Sequence, residues 1–183
     1  MTLIRAAIEA DVPAIARVDV ETWRATYAGI LPDHLLLALS ERQRAAAWTR
    51  FVTRRPGDTV IAVERGHGIV GFGSCGVQRN PEMNYAGEIF TLYLLPDFQG
   101  RNIGRQLLLA LFARLIRAGQ NSTLLWVLKD NPSRFFYERL GGRTVATKKF
   151  EMGKGVRVEA IAYAWPDLAA IVHNRGQARS RID

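Results

Sequence analysis

A chain of 183 residues, 48% hydrophobic and 23% charged, carries enough apolar material for one sizeable core, and its length predicts one domain. Its formal charge of +8 favours an anionic partner, whether nucleic acid, a membrane surface or a phosphorylated small molecule. The single cysteine, Cys75, excludes an intrachain disulfide and a thiolate zinc cluster and makes a reducing, cytoplasmic setting the expectation; no run approaches the roughly 18 apolar residues of a membrane span, and the first residues lack the apolar core of an export signal.

In chain order, Leu3 to Ala7 reads as a short strand. A helix follows, with Asp11 as N-cap, Pro13 in the first turn, and Val12, Ile15, Ala16 and Trp23 on its apolar face. A second helical region runs from Asp33 to Arg54 and breaks near Ser40, where Ser40-Glu41-Arg42-Gln43 fits a capping box. From Asp58 the period changes to that of strands. Thr59 to Glu64 and Ile69 to Val77 flank Gly66-His67-Gly68 as a hairpin, and Tyr85 to Leu95 is a third run. Apolar residues then recur at helical spacing from Ile103 to Ile116, and Thr123 to Leu128 reads as a central buried strand. Asn131-Pro132 supplies an N-cap and first-turn proline for a short helix that Gly141 closes. Two more strands, Arg143 to Phe150 and Val156 to Trp165, complete the order β-α-α-β-β-β-α-β-α-β-β, a mixed α/β sheet. Residues 1–166 form the predicted domain; 167–183 form a tail, partly helical and then mobile, carrying Arg175, Arg179 and Arg181.

The stretch DFQGRNIGRQLL, residues 97–108, joins a strand to a helix. The first amides of a helix lack carbonyl partners and carry partial positive charge, so this junction suits an anion. Gly100 and Gly104 permit close approach of a phosphate, and Arg101 and Arg105 add full charges. A pyrophosphate fits best. A plain surface turn with its arginines in water stays open at this point. The spacing matches neither the dinucleotide glycine fingerprint nor the nucleoside-triphosphatase loop.

Gln99-Gly100-Arg101-Asn102-Ile103-Gly104, together with EIFTLYLLPDFQGRNIG, DNPSRFFYERLGG and the strand-helix order, resembles the general-control-related N-acetyltransferase (GNAT) superfamily, which moves acetyl groups from acetyl-CoA to amines. The family loop is Gln/Arg-x-x-Gly-x-Gly/Ala. Asn102 stands at the usual middle glycine and is the next residue best able to adopt left-handed angles. The resemblance implies a mostly antiparallel sheet of six or seven strands, helices on both faces, and a splay between strands four and five. It also implies that Leu92, Tyr93 and Leu94 pair with the pantetheine arm, with the Leu92 N–H at the thioester oxyanion. Gln99 to Arg105 would hold the pyrophosphate, chiefly through backbone amides.

Glu88 matches a carboxylate that serves some family members as general base, and strict alternation places it in a row with Phe90, Leu92 and Leu94. The alternatives are solvent or an arginine partner. Tyr137 matches the tyrosine that protonates the departing thiolate; its other role would be to anchor helix to sheet beside Phe135 and Phe136. Asn131 would cap its helix and touch CoA. Trp23 and Tyr27 occupy the family's acceptor wall, although packing explains Trp23 as well. ETWRATYAGILPDHL, residues 21–35, resembles a bacterial branch that includes spermidine/spermine acetyltransferases. His34, His67 and His173 share no ligand spacing, so no metal is expected, and Cys75 reads as a small buried filler. Dimers are common among proteins of this kind, so a homodimer is an expectation. A CoA-binding module without catalysis is the alternative function. A nucleic-acid binder is disfavoured by dispersed basic residues and the lack of an aromatic RNA-binding signature.

Overall fold

The computed structural model describes residues 1–80, 82–152 and 155–179. Strand β1 (Thr2–Ala6) leads through a 3-10 turn (Glu9–Asp11) into α1 (Val12–Tyr27). Asp11 does not cap α1 with its side chain. Its carboxylate reaches back instead, accepting from the Ile8 amide at 2.9 Å and from both terminal nitrogens of Arg5 at 2.7 and 2.8 Å. A two-pronged charged pair outcompetes a single cap bond. The Arg5 hydrogen bonds hold the Asp11 carboxyl below its usual range, against the opposing effect of burial.

Asp11→Asn is expected to cost about 1–3 kcal/mol near neutral pH, the range for hydrogen bonds to a charged group. Because the folded carboxyl titrates below the unfolded one, this stabilisation is complete above the ordinary carboxylate range and is lost as pH falls through the lower folded value. Denaturant melts of both proteins, near neutrality and in acid, check the convergence.

The break near Ser40 is present. Helix α2 (Asp33–Leu37) stops short of it, and α3 (Glu41–Arg54) starts with the Ser40 hydroxyl accepting from the Gln43 amide at 3.4 Å. The remaining elements are β2 (Thr59–Glu64), β3 (Gly68–Val77), β4 (Gly87–Leu94), α4 (Ile103–Arg117), β5 (Thr123–Leu128), α5 (Arg134–Arg139), β6 (Arg143–Glu151), β7 (Arg157–Trp165) and α6 (Leu168–Arg179). The sheet has seven strands in the order β1-β2-β3-β4-β5-β7-β6, and among the described residues β4–β5 is its one parallel pair. Leu168 is fully buried, and Ile171 and Val172 pack on the core, so α6 is seated against the sheet unit. The mobile end expected at Arg181 lies outside the described residues. No described helix is long and apolar enough to cross a membrane.

Helices cover both faces. On one, Trp48 of α3 meets Phe72 of β3 edge-on with centroids 4.9 Å apart. On the other, Gly71 and Gly73 leave room for α4. A methyl group at Gly71 would come within 2.7 Å of Leu94 and 2.8 Å of the Tyr93 carbonyl, and one at Gly73 within 2.7 Å of Leu111.

Two irregularities of β4 shape everything that follows. It pairs with β5 over Gly87, Glu88 and Ile89 alone. Immediately after, the β3–β4 register slips, and Phe90 has no partner between Cys75↔Ile89 and Ser74↔Thr91. A bulge of this kind bends its strand, and here the bend falls where β4 leaves β5. The slip also corrects the alternation expected of the strand. Thr91 bonds Ser74 through their hydroxyls at 2.7 Å and Tyr93 packs on Phe72, while Leu92 and Leu94 turn toward α4. Paired with Gly76, on the Phe72 side of β3, Glu88 shares the α1/α3 face with Thr91 and Tyr93 rather than the face of Leu92 and Leu94.

Candidate active site

A cleft of about 600 Å³ occupies the splay between β4 and β5. The end of α1, the loop before α4 and the segment from Asn131 to Leu140 close its sides. Backbone direction on β4 can be read from its ladder. The Leu95 amide donates to the Val70 carbonyl at 2.9 Å, and bonded pairs in an antiparallel ladder recur at every second residue. Tyr93 therefore spends its amide and carbonyl on Phe72, whereas Leu92 and Leu94 point theirs into the cleft. This corrects the expectation that all three offer backbone to a ligand. The Leu94 carbonyl takes a bond from the Gln99 side-chain amide at 3.1 Å.

The loop turns into α4 through two left-handed residues, Gly100 at φ 73° and Asn102 at φ 63°; among the described residues Asn102 is the one non-glycine with positive φ. The Asn102 carbonyl accepts the first helical bond, from Gln106 at 3.1 Å. The amides of Ile103, Gly104 and Arg105 thus have no intrahelical acceptor. Gly104, Arg105, Asn102, Gly100 and Gln99 line the cleft; Arg101 and Ile103 do not. The Arg101 guanidinium lies over the Phe98 ring at 5.3 Å, and the Ile103 side chain is core. Both can serve an anion through backbone alone.

Tyr137 projects from α5 into the cleft, 7% exposed, with its ring edge-on to Phe136 at 5.2 Å. No described residue hydrogen-bonds its hydroxyl. Burial pushes the phenol well above its usual pKa, and the neighbouring Tyr27 adds to that. Asn131 also lines the cleft but does not cap α5 directly. Its Oδ1 accepts from the Ser133 amide at 2.8 Å, and tight bonds from Arg134 to Asn131 and from Phe136 to Ser133 carry the chain to a helix starting at Arg134. Its Nδ2 donates to the Tyr27 hydroxyl at 3.4 Å. Gly141 ends the helix at φ 84°, as its position predicts.

Two expected site residues lie elsewhere. Glu88 is 4% exposed but outside the cleft lining. The phase change at Phe90 turns it toward Arg79, which donates from Nη2 at 2.5 Å, from Nε at 3.0 Å and from its backbone amide at 3.1 Å. Trp23 stands behind the cleft wall, its indole N–H donating to the Tyr93 hydroxyl at 2.9 Å and its ring against Tyr27 at 4.8 Å. Tyr27 does line the cleft. Cys75 is fully buried, its thiol pushed up to about 12 by burial, with Asp58 adding and Arg114 opposing. Among the described residues no three His, Cys, Asp or Glu side chains gather at one point.

Several lining residues escaped the sequence reading. Thr22 and Thr26 line the cleft one helical turn apart, and the buried Thr22 hydroxyl has no hydrogen-bond partner among the described residues. A polar i, i+4 pair on an apolar helix face was the available signal. Trp126, Phe136 and Arg139 are brought in by tertiary packing, which no local pattern announces.

A family model described as FR47-like protein matches residues 80–150, the part of the chain that holds β4, the loop, α4, β5 and α5. The uncharacterized N-acetyltransferase YuaI of Bacillus subtilis (strain 168) is 33% identical, covering 93% of this chain and 96% of its own. Among solved structures, the chain is similar to the PaiA N-acetyltransferase of Thermoplasma acidophilum in complex with coenzyme A, with 21% identity, a TM-score of 0.67, and coverage of 91% of this chain and 99% of that one. It is also similar to the ribosomal-protein-alanine N-acetyltransferase of Brucella melitensis, with 22% identity, a TM-score of 0.71 and coverage of 90% and 99%. A 33% match along nearly the whole of both chains to an N-acetyltransferase, joined to this splayed sheet, means that the chain belongs to the GNAT superfamily of acetyl-CoA-dependent N-acetyltransferases.

Proposed function

We propose that the chain moves an acetyl group from acetyl-CoA to a primary amine by direct attack within a ternary complex. One observation carries this reading: Leu92 with its outward amide, Gly104 and Arg105 with their free first-turn amides, and Tyr137 all line one cleft. The diphosphate lies against the amides of Ile103, Gly104 and Arg105, where the helix dipole and the Arg105 charge favour it. Its pantetheine arm runs along β4 and takes up the backbone groups of Leu92 and Leu94. At the thioester, the Leu92 N–H meets the oxygen on which negative charge grows as the amine attacks, an interaction stronger in the transition state than in the ground state. Tyr137 then gives its proton to the leaving sulfur; burial keeps the phenol protonated, so the proton is in place when the sulfur departs.

Glu88 has no part in this scheme. Glu88→Gln is expected to keep turnover within about threefold of the parent, far from the 10²-fold or greater loss of a general base. The pH–rate profile should keep its shape, and the melting temperature should fall because the Arg79 clamp weakens. A lost ionisation in the profile would return Glu88 to the chemistry.

Calorimetry with acetyl-CoA, followed by a free-CoA assay across small amines, polyamines and peptide amines, tests the reading as a whole. Micromolar binding and release of CoA with at least one amine is the expected outcome. Binding without release from any of them would leave a CoA-binding module in its place.

A further inference from the structure

The cleft poses a question that its acid does not answer: where the attacking amine sends its proton. No carboxylate or histidine lines it among the described residues, and Glu88 is turned away. Its titratable lining consists of Tyr27, Tyr93, Tyr137, Arg105 and Arg139. Guanidinium groups accept nothing. The Tyr93 hydroxyl is bonded to the Trp23 indole, behind the cleft wall and outside its lining, whereas the Tyr27 hydroxyl is bonded to Asn131, which lines the cleft. Tyr27 and Tyr137 remain.

Tyr27 is oriented for the task by a short chain of bonds. The Ser133 amide fixes the Asn131 oxygen, so the Asn131 nitrogen must be the atom facing Tyr27. The Tyr27 oxygen accepts there, and its own proton is left to give away. Its ring is held against Trp23 and its backbone ends α1 on the acceptor side of the cleft. Both phenols line the one cleft, and Asn131, which holds the Tyr27 hydroxyl, leads directly into the helix that carries Tyr137. Burial holds both protonated, so neither can strip a proton from an amine unless it passes one on at the same time.

We propose that Tyr27 is a second catalytic hydroxyl, relaying the proton lost by the attacking amine to Tyr137 and so to the departing sulfur. This rests on the acetyltransferase reading above. A neutral amine enters, the C–N bond forms and the C–S bond breaks. An N–H proton passes to the Tyr27 oxygen while the Tyr27 proton passes, directly or across one water, to the Tyr137 oxygen. The Tyr137 proton goes to sulfur. Both tyrosines finish neutral, the products are an amide and a thiol, and no separate base is consumed.

The experiment compares Tyr27→Phe, Tyr137→Phe and the double variant with the parent, using kcat, acetyl-CoA affinity and a solvent proton inventory in mixtures of light and heavy water. Each single change is expected to lower kcat by about 10²-fold without weakening acetyl-CoA binding. The double variant should be no slower than the slower single one, because two groups that act as a unit are not additive. In the parent, rate should bend with deuterium fraction, as more than one proton in flight requires; in Tyr27→Phe the bend should vanish. Losses that multiply in the double variant, or a Tyr27→Phe protein with parental kcat and an unchanged inventory, would overturn the relay. Should Tyr27→Phe melt early, 3-fluorotyrosine at position 27 keeps the hydroxyl and lowers its pKa: a changed kcat with a changed inventory supports the relay, and no change in either overturns it. A parent protein that releases no CoA with any amine overturns the acetyltransferase reading first, before either tyrosine is touched.

Discussion

Tyr137→Phe is expected to lower kcat by about two orders of magnitude, near 3 kcal/mol of transition-state stabilisation, with acetyl-CoA affinity held within about twofold. The physical case is one of isolation. The phenol ring is packed against Phe136, Tyr163 and Trp165, with centroids 5.2, 6.2 and 6.4 Å away, and phenylalanine keeps every one of those contacts. The hydroxyl is bonded to no described residue, so its removal strands no buried partner. Stability should therefore be unaffected and the loss confined to the chemical step. Steady-state thiol release and calorimetry on the same preparation separate the two quantities. A kcat equal to the parent's would reduce Tyr137 to a packing residue.

Gly104→Glu is expected to weaken acetyl-CoA binding by 10²-fold or more while leaving the melting temperature equal or higher. Two effects of opposite sign act at this position. A carboxylate in the first turn of α4 is favoured by the helix dipole by about 0.3–1 kcal/mol. The same carboxylate would sit where a diphosphate is to bind, and like charges at about 4 Å repel by roughly 4 kcal/mol at an effective dielectric near 20. Space is not the obstacle: a Cβ at Gly104 meets the Phe136 ring at 3.4 Å, an ordinary contact. Gly104→Ala is then the control, expected to weaken acetyl-CoA binding far less than the carboxylate does and to leave the melting temperature equal or higher. Calorimetry and thermal melts of the three proteins decide the matter, and a Glu variant that bound acetyl-CoA normally would place the diphosphate elsewhere.

Much of this architecture was legible in the residues. The change from helical to alternating period at Asp58, and back at Ile103, located the elements because both sheet faces are covered and the strands read strongly apolar. Asn102 was readable as a stand-in for glycine because few side chains tolerate a left-handed backbone, and φ 63° is what it adopts. Glu88 was misplaced for a reason just as specific. A bulge adds one residue to one strand without altering the hydrophobic pattern around it, and Phe90 is apolar like its neighbours, so strict alternation carried Glu88 to the wrong face. Asp11 was read as a cap because local rules see three or four residues ahead, not an arginine six residues back on the preceding strand. The wall facing α1 was hardest: Tyr27 and Asn131 were named one by one, but Thr22, Thr26 and Trp126 join them only when α1 folds over the parted strands, and that meeting is a property of the tertiary arrangement.

Phe90 is a surplus residue that the ladder absorbs instead of passing along. Forced into register, it would reverse inside and outside for every position upstream, setting Glu88 among the leucines under α4. Left as a loop in the ribbon, it costs the ordering of one residue and tilts β4 off its parallel neighbour. A coding change that trimmed it would straighten the strand with each remaining side chain still in its own layer. The crevice would narrow, and the fold would outlive its ligand.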